Sequence, residues 1–426
     1  MPSRVPPALA TRALHARFSV AMTLVLTVAA CGGPPPPVSD TAEPVGTTGS
    51  AVSRVTYSGP IIITKGGTYT GNWESKDPNV PAVRVQTTDP VTIKNANVRG
   101  PGVLIRGAYR NRVTIRGTRA YGTNPNVAGR SQGEFASFEK VRDLRIMNNH
   151  IEGTAGINVY QYDGTPNGGD GIRIQNNRFR NLNGMHSDGQ GGYTTTVTIT
   201  HAILLNAVRR VPSVDISWNE IINEPGRSAV EENINVYVSS GTPDSPIRIH
   251  DNYVQGAYNT RPATDASYAG GGILIGDGVT ADPLDFGYVH VYDNQVVSTT
   301  NEGLAITGGV HQRVYNNRVV SSGRLPDGSR IAAQNVGAYM YDWNRLAEAN
   351  PPTWAANSMT GNSVAWTVVR EDGSAYTNPF WFATCGVNDT VCAPNENAGH
   401  ATLQSERDEY TRWTAKVNAA GVKIGP

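Results

Sequence analysis

The sequence lacks an excess of charge of either sign. Its 426 residues include 36 Lys and Arg and 35 Asp and Glu, which gives a formal net charge of +1 at pH 7. Without a strong overall electrostatic field, nucleic acid is not an expected partner, and an acidic ligand would have to be met by local groups. Ca²⁺ loops of the Asp-x-Asp type are also lacking. We therefore predict no nucleic-acid partner, no metal site within one segment and no evident cofactor.

Long apolar runs are lacking as well, with one exception near the N-terminus. Three arginines and no acid precede an apolar run at 18–30, which has the length of a secretory h-region and is too short to span a bilayer comfortably. The sequence therefore predicts a signal peptide at 1–30. Val28-Ala29-Ala30-Cys31 resembles the lipobox of bacterial lipoproteins, which implies cleavage before Cys31 and lipidation of that cysteine. Ordinary cleavage near Ala30 is the alternative.

The segment 31–54 is rich in Pro, Gly, Ser and Thr, a composition that cannot bury a core. We interpret it as a flexible tether. No later stretch is apolar enough to cross a membrane, so the lipid is the only membrane attachment that we predict. The expected location is the bacterial cell envelope, at the outer membrane or the cell surface.

Cysteine is scarce, with three residues in all. If one carries the lipid, Cys385 and Cys392 remain, separated by a short Gly/Asn/Asp-containing loop. In an exported protein such a pair predicts a disulfide. A metal-binding pair is the alternative, although the neighbouring residues do not supply the other ligands of a closed site.

The sequence does contain a short phrase that recurs every 23 to 42 residues. In each copy apolar and polar residues alternate and then meet an Asx-rich corner, which is the pattern of a strand followed by a bend. The copies contain Asn149, Asn177, Asn219, Asn252, Asn294 and Asn317. Stacked coils would place these side chains about 4.8 Å apart as a ladder of amides. We therefore interpret the asparagines as scaffold.

These repeats and the asparagine ladder resemble the right-handed parallel β-helix proteins of the pectate-lyase-like superfamily. The resemblance implies an all-β fold, a right-handed parallel β-helix solenoid with N-terminal cap strands and a short C-terminal helix. We predict the solenoid at 55–372 and a C-terminal cap, with the disulfide loop and the helix, at 373–426. The amphipathic segment 403–417 is predicted to plug the end of the coil stack.

Polar and aromatic residues collect on one predicted strand of the middle coils. Because side chains alternate between the two faces of a strand, the residues between the inward apolar positions face outward. Such a mixture suits sugar hydroxyls and sugar ring faces. The predicted substrate-binding residues are Asn158, Tyr160, Tyr162, Gln190, Asn233, Asn235 and Tyr237.

His186-Ser-Asp-Gly-Gln190 resembles the His-x-Asp-Gly-(x)-Gln phrase of β-helix proteins thought to act on polysaccharides. It lacks the residue between Gly189 and Gln190. We align it with the outward strand of its coil, which places Asp188 about one coil from Glu231. A turn at Asp188-Gly189 and a solvated rim at Glu231-Glu232 are the structural alternatives.

The candidate catalytic residues are His186, Asp188 and Glu231. Hydrolysis needs two carboxylates across a glycosidic bond, and Asp188 and Glu231 would supply them. Lyase chemistry needs a base such as His186 or Tyr160 and a cation, with Ca²⁺ as one option, to neutralise a uronate. The sequence does not separate these two reactions.

We therefore predict a carbohydrate-active protein, acting as a monomer, that cleaves an extracellular or envelope polysaccharide as a lyase or glycoside hydrolase. The alternative is a surface lipoprotein that binds glycan without catalysis or has a structural role.

Overall fold

The computed structural model describes residues 55–165 and 169–426. Residues 55–426 belong to one compact unit. The predicted signal peptide, the tether and the lipidated Cys31 lie outside the described residues. No helix among the described residues is long and apolar enough to cross a membrane.

Three long sheets of parallel strands run along the molecule, and successive coils of the chain add strands to them in turn. Sheet 1 consists of Ile61–Ile63, Val83–Val85, Ile105–Ala108, Ala136–Val141, Ile157–Tyr162, Ile203–Asn206, Glu232–Tyr237, Gly271–Asp277, Glu302–Ile306, Val336–Met340 and Phe380–Phe382. Sheet 2 consists of Gly67–Tyr69, Pro90–Lys94, Arg112–Arg116, Asp143–Met147, Ile172–Gln175, Val214–Ser217, Ile247–His250, Val289–Tyr292, Arg313–Tyr315 and Ser358–Thr360. Sheet 3 consists of Asn72–Glu74, Asn97–Gly100, Arg119–Gly122, His150–Glu152, Arg178–Arg180, Glu220–Ile222, Tyr253–Ala257, Gln295–Thr299, Arg318–Ser321, Ser363–Val369, the antiparallel Ala375–Thr377 and the short Glu396–Asn397. The fold is the predicted all-β parallel β-helix.

Alternation of apolar and polar residues explains how each strand is oriented. In sheet 1, for example, Ile234, Ile273 and Leu304 are paired in register across neighbouring coils and are fully buried. Such columns of branched aliphatic side chains form one continuous core inside the coil stack. Their burial is the main favourable contribution to folding.

The predicted asparagine ladder is confirmed at the corner between sheets 2 and 3. The Nδ2 atom of Asn177 donates to Oδ1 of Asn219 at 2.9 Å and to the carbonyl of Ile146 at 2.9 Å. The ladder continues beyond Asn317 to Asn362 and Asn395. From Asn149 to Asn362 the left-handed backbone conformation falls on the residue before each ladder asparagine, for example Asn176 with φ 59°.

Several shorter elements lie outside the three sheets. Met185–Ser187 and Tyr193–Val197 pair as an antiparallel hairpin, here called the 185–197 hairpin. The other short elements are the strand pair Gly309–Val310 with Trp354–Ala355 and the 3-10 helices Pro283–Asp285, Leu346–Glu348 and Val387–Asp389. Cys385 and Cys392 form a disulfide, as predicted.

The C-terminal helix spans Leu403–Ala419 and packs along the outside of sheet 3. Trp413 and Val417 are buried there, and the Trp413 indole donates to the carbonyl of Asp251. Glu409 pairs with Arg318 near the start of the helix, and Gly425 beyond its end bonds to Asn176. The helix therefore runs across several coils, and the prediction that it plugs the end of the stack is wrong.

Replacing one ladder asparagine by alanine should destabilise the fold strongly. Asn219→Ala removes bonds to Ile174, Asn252 and Asn177 and leaves buried donors and acceptors without partners. The expected loss is about 3 kcal/mol or more of unfolding free energy, because each orphaned buried group costs about 1–3 kcal/mol. Denaturant unfolding measures it. Asn344→Ala, at an exposed position, is the matched control, and equal stability of the two variants would contradict the role of the ladder.

Candidate functional site

The outer face of sheet 1 carries a continuous row of side chains along the coil stack. Parallel pairing in register places one residue of each coil directly beside its neighbour. The row consists of Asn158, Leu204, Asn235, Leu274, Ala305, Tyr339 and Trp381. A second outward row consists of Tyr160, Asn206, Tyr237 and Asp277. These rows define the candidate site.

His186, Asp188 and Gln190 do not lie in either row. The sheet 1 strand of their coil is Ile203–Asn206, and the 186–190 segment belongs to the 185–197 hairpin. The alignment of 186–190 with the outward strands is therefore wrong. His186 Nε2 lies 2.9 Å from the Thr198 hydroxyl, and Asp188 Oδ1 accepts the backbone N–H groups of Gln190 and Gly192. This geometry is that of a turn, and the catalytic roles remain predictions.

Three of the predicted substrate-binding residues face outward on sheet 1. Tyr160 and Tyr237 are each 40% exposed, and Asn158 lines a cavity of about 310 Å³. Asn235 also lies on this face, although it is almost completely buried. The structure therefore brings these four residues onto one surface.

Two further predicted residues are turned towards the interior. Asn233 is fully buried and donates to the carbonyls of Gly256 and Gly271 at a corner of the coil. Tyr162 packs against the core, and burial raises the pKa of its hydroxyl to about 12. The prediction that Asn233 faces outward is wrong, because the strand bends at its start and its side chain completes the corner.

Four carboxyl groups meet beside the row. They form the carboxylate cluster, which consists of Glu231, Glu232, Asp277 and Glu302. In the pairing register Glu232 lies beside Gly271, and Gly271 lies one coil before Glu302. A Cβ atom at Gly271 would lie 1.8 Å from Oε1 of Glu302 and 3.1 Å from Cγ of Glu232. The glycine therefore leaves the space that these two side chains occupy.

Asn235 connects two members of the cluster. Its Nδ2 atom donates to Oε2 of Glu232 at 3.2 Å and to Oδ2 of Asp277 at 3.0 Å. Since two hydrogen bonds of about 3 Å meet at one nitrogen, these two oxygens are no more than about 6 Å apart. Glu302, by contrast, is fully buried, and neither of its carboxyl oxygens has a hydrogen-bond partner among the described residues.

Burial raises the pKa values of all four groups, and repulsion by neighbouring acids adds to the shift of Glu231, Glu232 and Glu302. The pKa of Glu232 is raised well above its usual range by burial and then by the charges of Glu302, Glu231 and Asp277. Burial and the same kind of repulsion raise the pKa of Glu302 to about 8. Burial also raises the pKa values of Glu231 and Asp277. Near neutral pH the cluster therefore retains protons, as required of a general acid.

A buried histidine links the cluster to the 310 Å³ cavity. His201 lines that cavity, and its Nδ1 atom lies 3.0 Å from the carbonyl oxygen and 3.4 Å from Oε2 of Glu232. Burial lowers the pKa of His201 to about 4, so the ring is neutral near pH 7. Arg130 also lines the cavity, but its guanidinium is bound to Asn79 and Pro78.

Sequence reasoning predicted Glu231 but missed Glu232, Glu302 and Asp277. The signal that could have found them is the alignment of Glu232-Asn-Ile, Gly271-Gly-Ile and Glu302-Gly-Leu on their inward aliphatic residues. That alignment places Glu232 and Glu302 in one column with a glycine between them.

The residues present do not fit the Ca²⁺ ion that a lyase could use. Among the described residues, no three His, Cys, Asp or Glu side chains are arranged to hold a metal ion.

Comparisons with family models, with curated proteins and with solved structures each gave no match.

Glu302→Gln should stabilise the protein at alkaline pH. The pKa of Glu302 is about 8 in the folded state and has an ordinary value of 4.5, so the folded state keeps a proton that the unfolded state loses. The contribution of Glu302 to stability is therefore complete below pH 4.5 and is lost as the pH rises through 8. The variant should therefore gain on the order of a few kcal/mol over wild type at pH 8 and little at pH 4.5. Thermal unfolding at both pH values measures the difference. Glu348→Gln, at an exposed position, is the control, and the same gain at both pH values would contradict the burial of a protonated Glu302.

Sheet 2 carries a charge network of a different kind. His250 bonds to Asp251 at 2.6 Å and to Asp215 at 3.3 Å, and Asp215 also pairs with Arg248. Burial alone would lower the pKa of His250, but its two carboxylate partners raise it to about 9. Every charge in this network has a partner, so we interpret it as structural.

The His250 network should stabilise the fold below about pH 6.5 and weaken as the pH rises through 9. His250→Gln should therefore cost about 2–3 kcal/mol at pH 6 and much less at pH 10. Denaturant unfolding at these two pH values measures the difference. His400→Gln, at an exposed position, is the control. A cost for His250→Gln that does not change between pH 6 and pH 10 would contradict a charged His250.

Proposed function

We propose that this chain is a glycoside hydrolase with a pectate-lyase-like β-helix, exported and lipid-anchored, that cleaves an extracellular or envelope polysaccharide on sheet 1. The observation that carries the proposal is the pair formed by Glu232 and Asp277, bridged by the amide of Asn235. Glycoside hydrolysis needs two carboxyl groups of which one is protonated. The partly exposed pair and the fully buried Glu302 behind it meet this need.

The separation supports a double-displacement reaction. Retaining glycosidases hold their two carboxyl groups about 5–5.5 Å apart, and inverting enzymes about 6.5–9.5 Å apart. The limit of about 6 Å applies to Oε2 of Glu232 and Oδ2 of Asp277, and on this basis we assign the retaining arrangement. Glu232 has the more strongly raised pKa and is assigned as the acid, and Asp277 is assigned as the nucleophile.

The proposed reaction has two balanced steps. In the first, Asp277 attacks the anomeric carbon while the glycosidic C–O bond breaks and Glu232 gives its proton to the leaving oxygen. In the second, Glu232 takes a proton from water, which attacks the anomeric carbon and releases Asp277. Glu302 does not contact the substrate. It lies in the same column as Glu232, across the space left by Gly271, and acts as a positioning residue behind the pair.

Hydrolysis is favoured over elimination by the charges around the cluster. A lyase must neutralise the carboxylate of a uronate, but the charged groups that shift the pKa values of the four acids are other acids. Neither arginine nor lysine is among them in the described part of the chain. An anionic sugar unit would therefore be repelled at this point of the surface.

Glu232→Gln and Asp277→Asn should each lower hydrolysis by about 10²–10⁴-fold or more, because each variant removes a group that acts on the reacting atoms. Release of reducing ends from a panel of neutral and uronate polysaccharides measures turnover, and ultraviolet absorbance detects the unsaturated product of a lyase. Glu348→Gln is the surface control.

Three outcomes would contradict the proposal. Unsaturated product would support the lyase alternative, and binding without product across the panel would support the non-catalytic alternative. Loss of turnover in Asp188→Ala, with Glu232→Gln still active, would move the reaction to the residues predicted from the 186–190 phrase.

A further inference from the structure

Aromatic side chains continue the outward row of sheet 1 beyond the carboxylate cluster. Tyr339 pairs in register with Ala305 and with Trp381. The Tyr341 ring stacks on Trp381 with centroids 4.8 Å apart and meets Trp343 at 4.5 Å. Tyr339, Tyr341, Trp343 and Trp381 are together called the aromatic platform.

The platform is accessible, and its rings pack on one another. Trp343 is 59% exposed and Trp381 is 40% exposed, whereas Tyr339 is buried beneath them against Leu274, Ala305 and Val336. Large apolar surfaces that are exposed to solvent mark binding sites. Because these rings pack on one another, they lose little side-chain freedom when a ligand binds.

The platform and the carboxylate cluster are parts of one surface. Glu302 pairs in register with Val336, and Val336 packs against Tyr339. Burial and then the charges of Glu302, Glu232 and Asp277 raise the pKa of the Tyr339 hydroxyl. Towards the other end of the stack, Tyr237 lies beside Asp277, and Tyr160 lies two coils further along the second outward row. The row from Asn158 to Trp381 extends roughly 29 Å, at about 4.8 Å per coil.

We infer that the aromatic platform binds sugar rings of an uncharged polysaccharide that lies along the coil axis, with its cleavage point at the carboxylate cluster. This inference rests on the proposed function for the position of cleavage. Flat aromatic faces suit the apolar faces of sugar rings, and the negative faces of the same rings do not favour carboxylates. Aromatic side chains on both sides of the cluster give binding positions on both sides of the scissile bond. The chain is therefore expected to cut within a polymer and not only at its ends.

Affinity gel electrophoresis tests the platform without relying on turnover. The parent protein is Glu232→Gln, so that polymer in the gel survives. The neutral probes are hydroxyethyl cellulose, xylan, galactomannan and a mixed-linkage β-glucan, and the charged probes are polygalacturonate and alginate. We expect retardation by at least one neutral polymer, and a tenfold or greater loss of affinity when Trp343→Ala and Trp381→Ala are added. Tyr376→Ala, an exposed tyrosine on sheet 3, is the matched control and should retain the affinity.

The outcomes separate the inference from the proposed function. Equal retardation with and without the platform, retardation by the uronate polymers alone, or no retardation by any probe would overturn the inference. Platform-dependent retardation without reducing-end release by the wild-type protein would sustain the platform and overturn the hydrolase. When Trp343→Ala and Trp381→Ala are introduced into the wild-type protein, KM for the polymer should rise with little change in kcat. Release of monosaccharide alone by the wild-type protein would contradict cleavage within the chain.

Discussion

Stacking of the coils in register is the constraint on which the rest of the structure depends. Each strand must place its aliphatic residues over those of the coil before it, and the asparagine ladder holds the corner at which the chain turns into sheet 3. A shift of one residue would turn every side chain to the opposite face. Because the register cannot shift, outward residues at equivalent positions are also held about 4.8 Å apart. Chemistry on this fold is therefore assembled from columns across coils, not from contiguous segments.

The carboxylate cluster is a column of this kind that lowers the stability of the fold. Glu232 and Glu302 occupy one column with Gly271 between them, and a side chain at Gly271 would overlap the Glu302 carboxyl. The acids repel one another in a buried setting, so they keep protons that exposed acids would lose. A scaffold would be more stable with aliphatic residues at these positions. Unfavourable arrangements of this kind are typical of functional sites, where stability is exchanged for reactivity.

The sequence predicted the coils well, because period-two alternation and recurring asparagines are direct consequences of the fold. The ladder, the β-helix and the disulfide are confirmed, and Asn158, Tyr160, Asn235 and Tyr237 lie on the outer face of sheet 1. The 186–190 phrase was placed wrongly because His186, Asp188 and Gln190 share one parity, as the outward residues of a coil strand do, and sequence does not show where an insertion begins. Glu302 was missed because it lies beyond the middle coils that carry the predicted site residues, and no other polar or aromatic residue on its own strand marks it as part of a site.

The contrast between the charge networks of sheets 1 and 2 favours sheet 1 as the face that carries the site. On sheet 2, His250 lies between two carboxylates and Asp215 is also paired with Arg248, so opposite charges stabilise one another and the pKa of Asp215 falls. On sheet 1, acids face acids, the Glu302 carboxyl has no hydrogen-bond partner among the described residues, and the pKa values rise. Paired networks serve the fold, and their ionisation states are fixed near neutral pH. Unpaired acids that share protons beside exposed aromatic rings can exchange a proton with a bound ligand, which is the property that glycosidic bond cleavage requires.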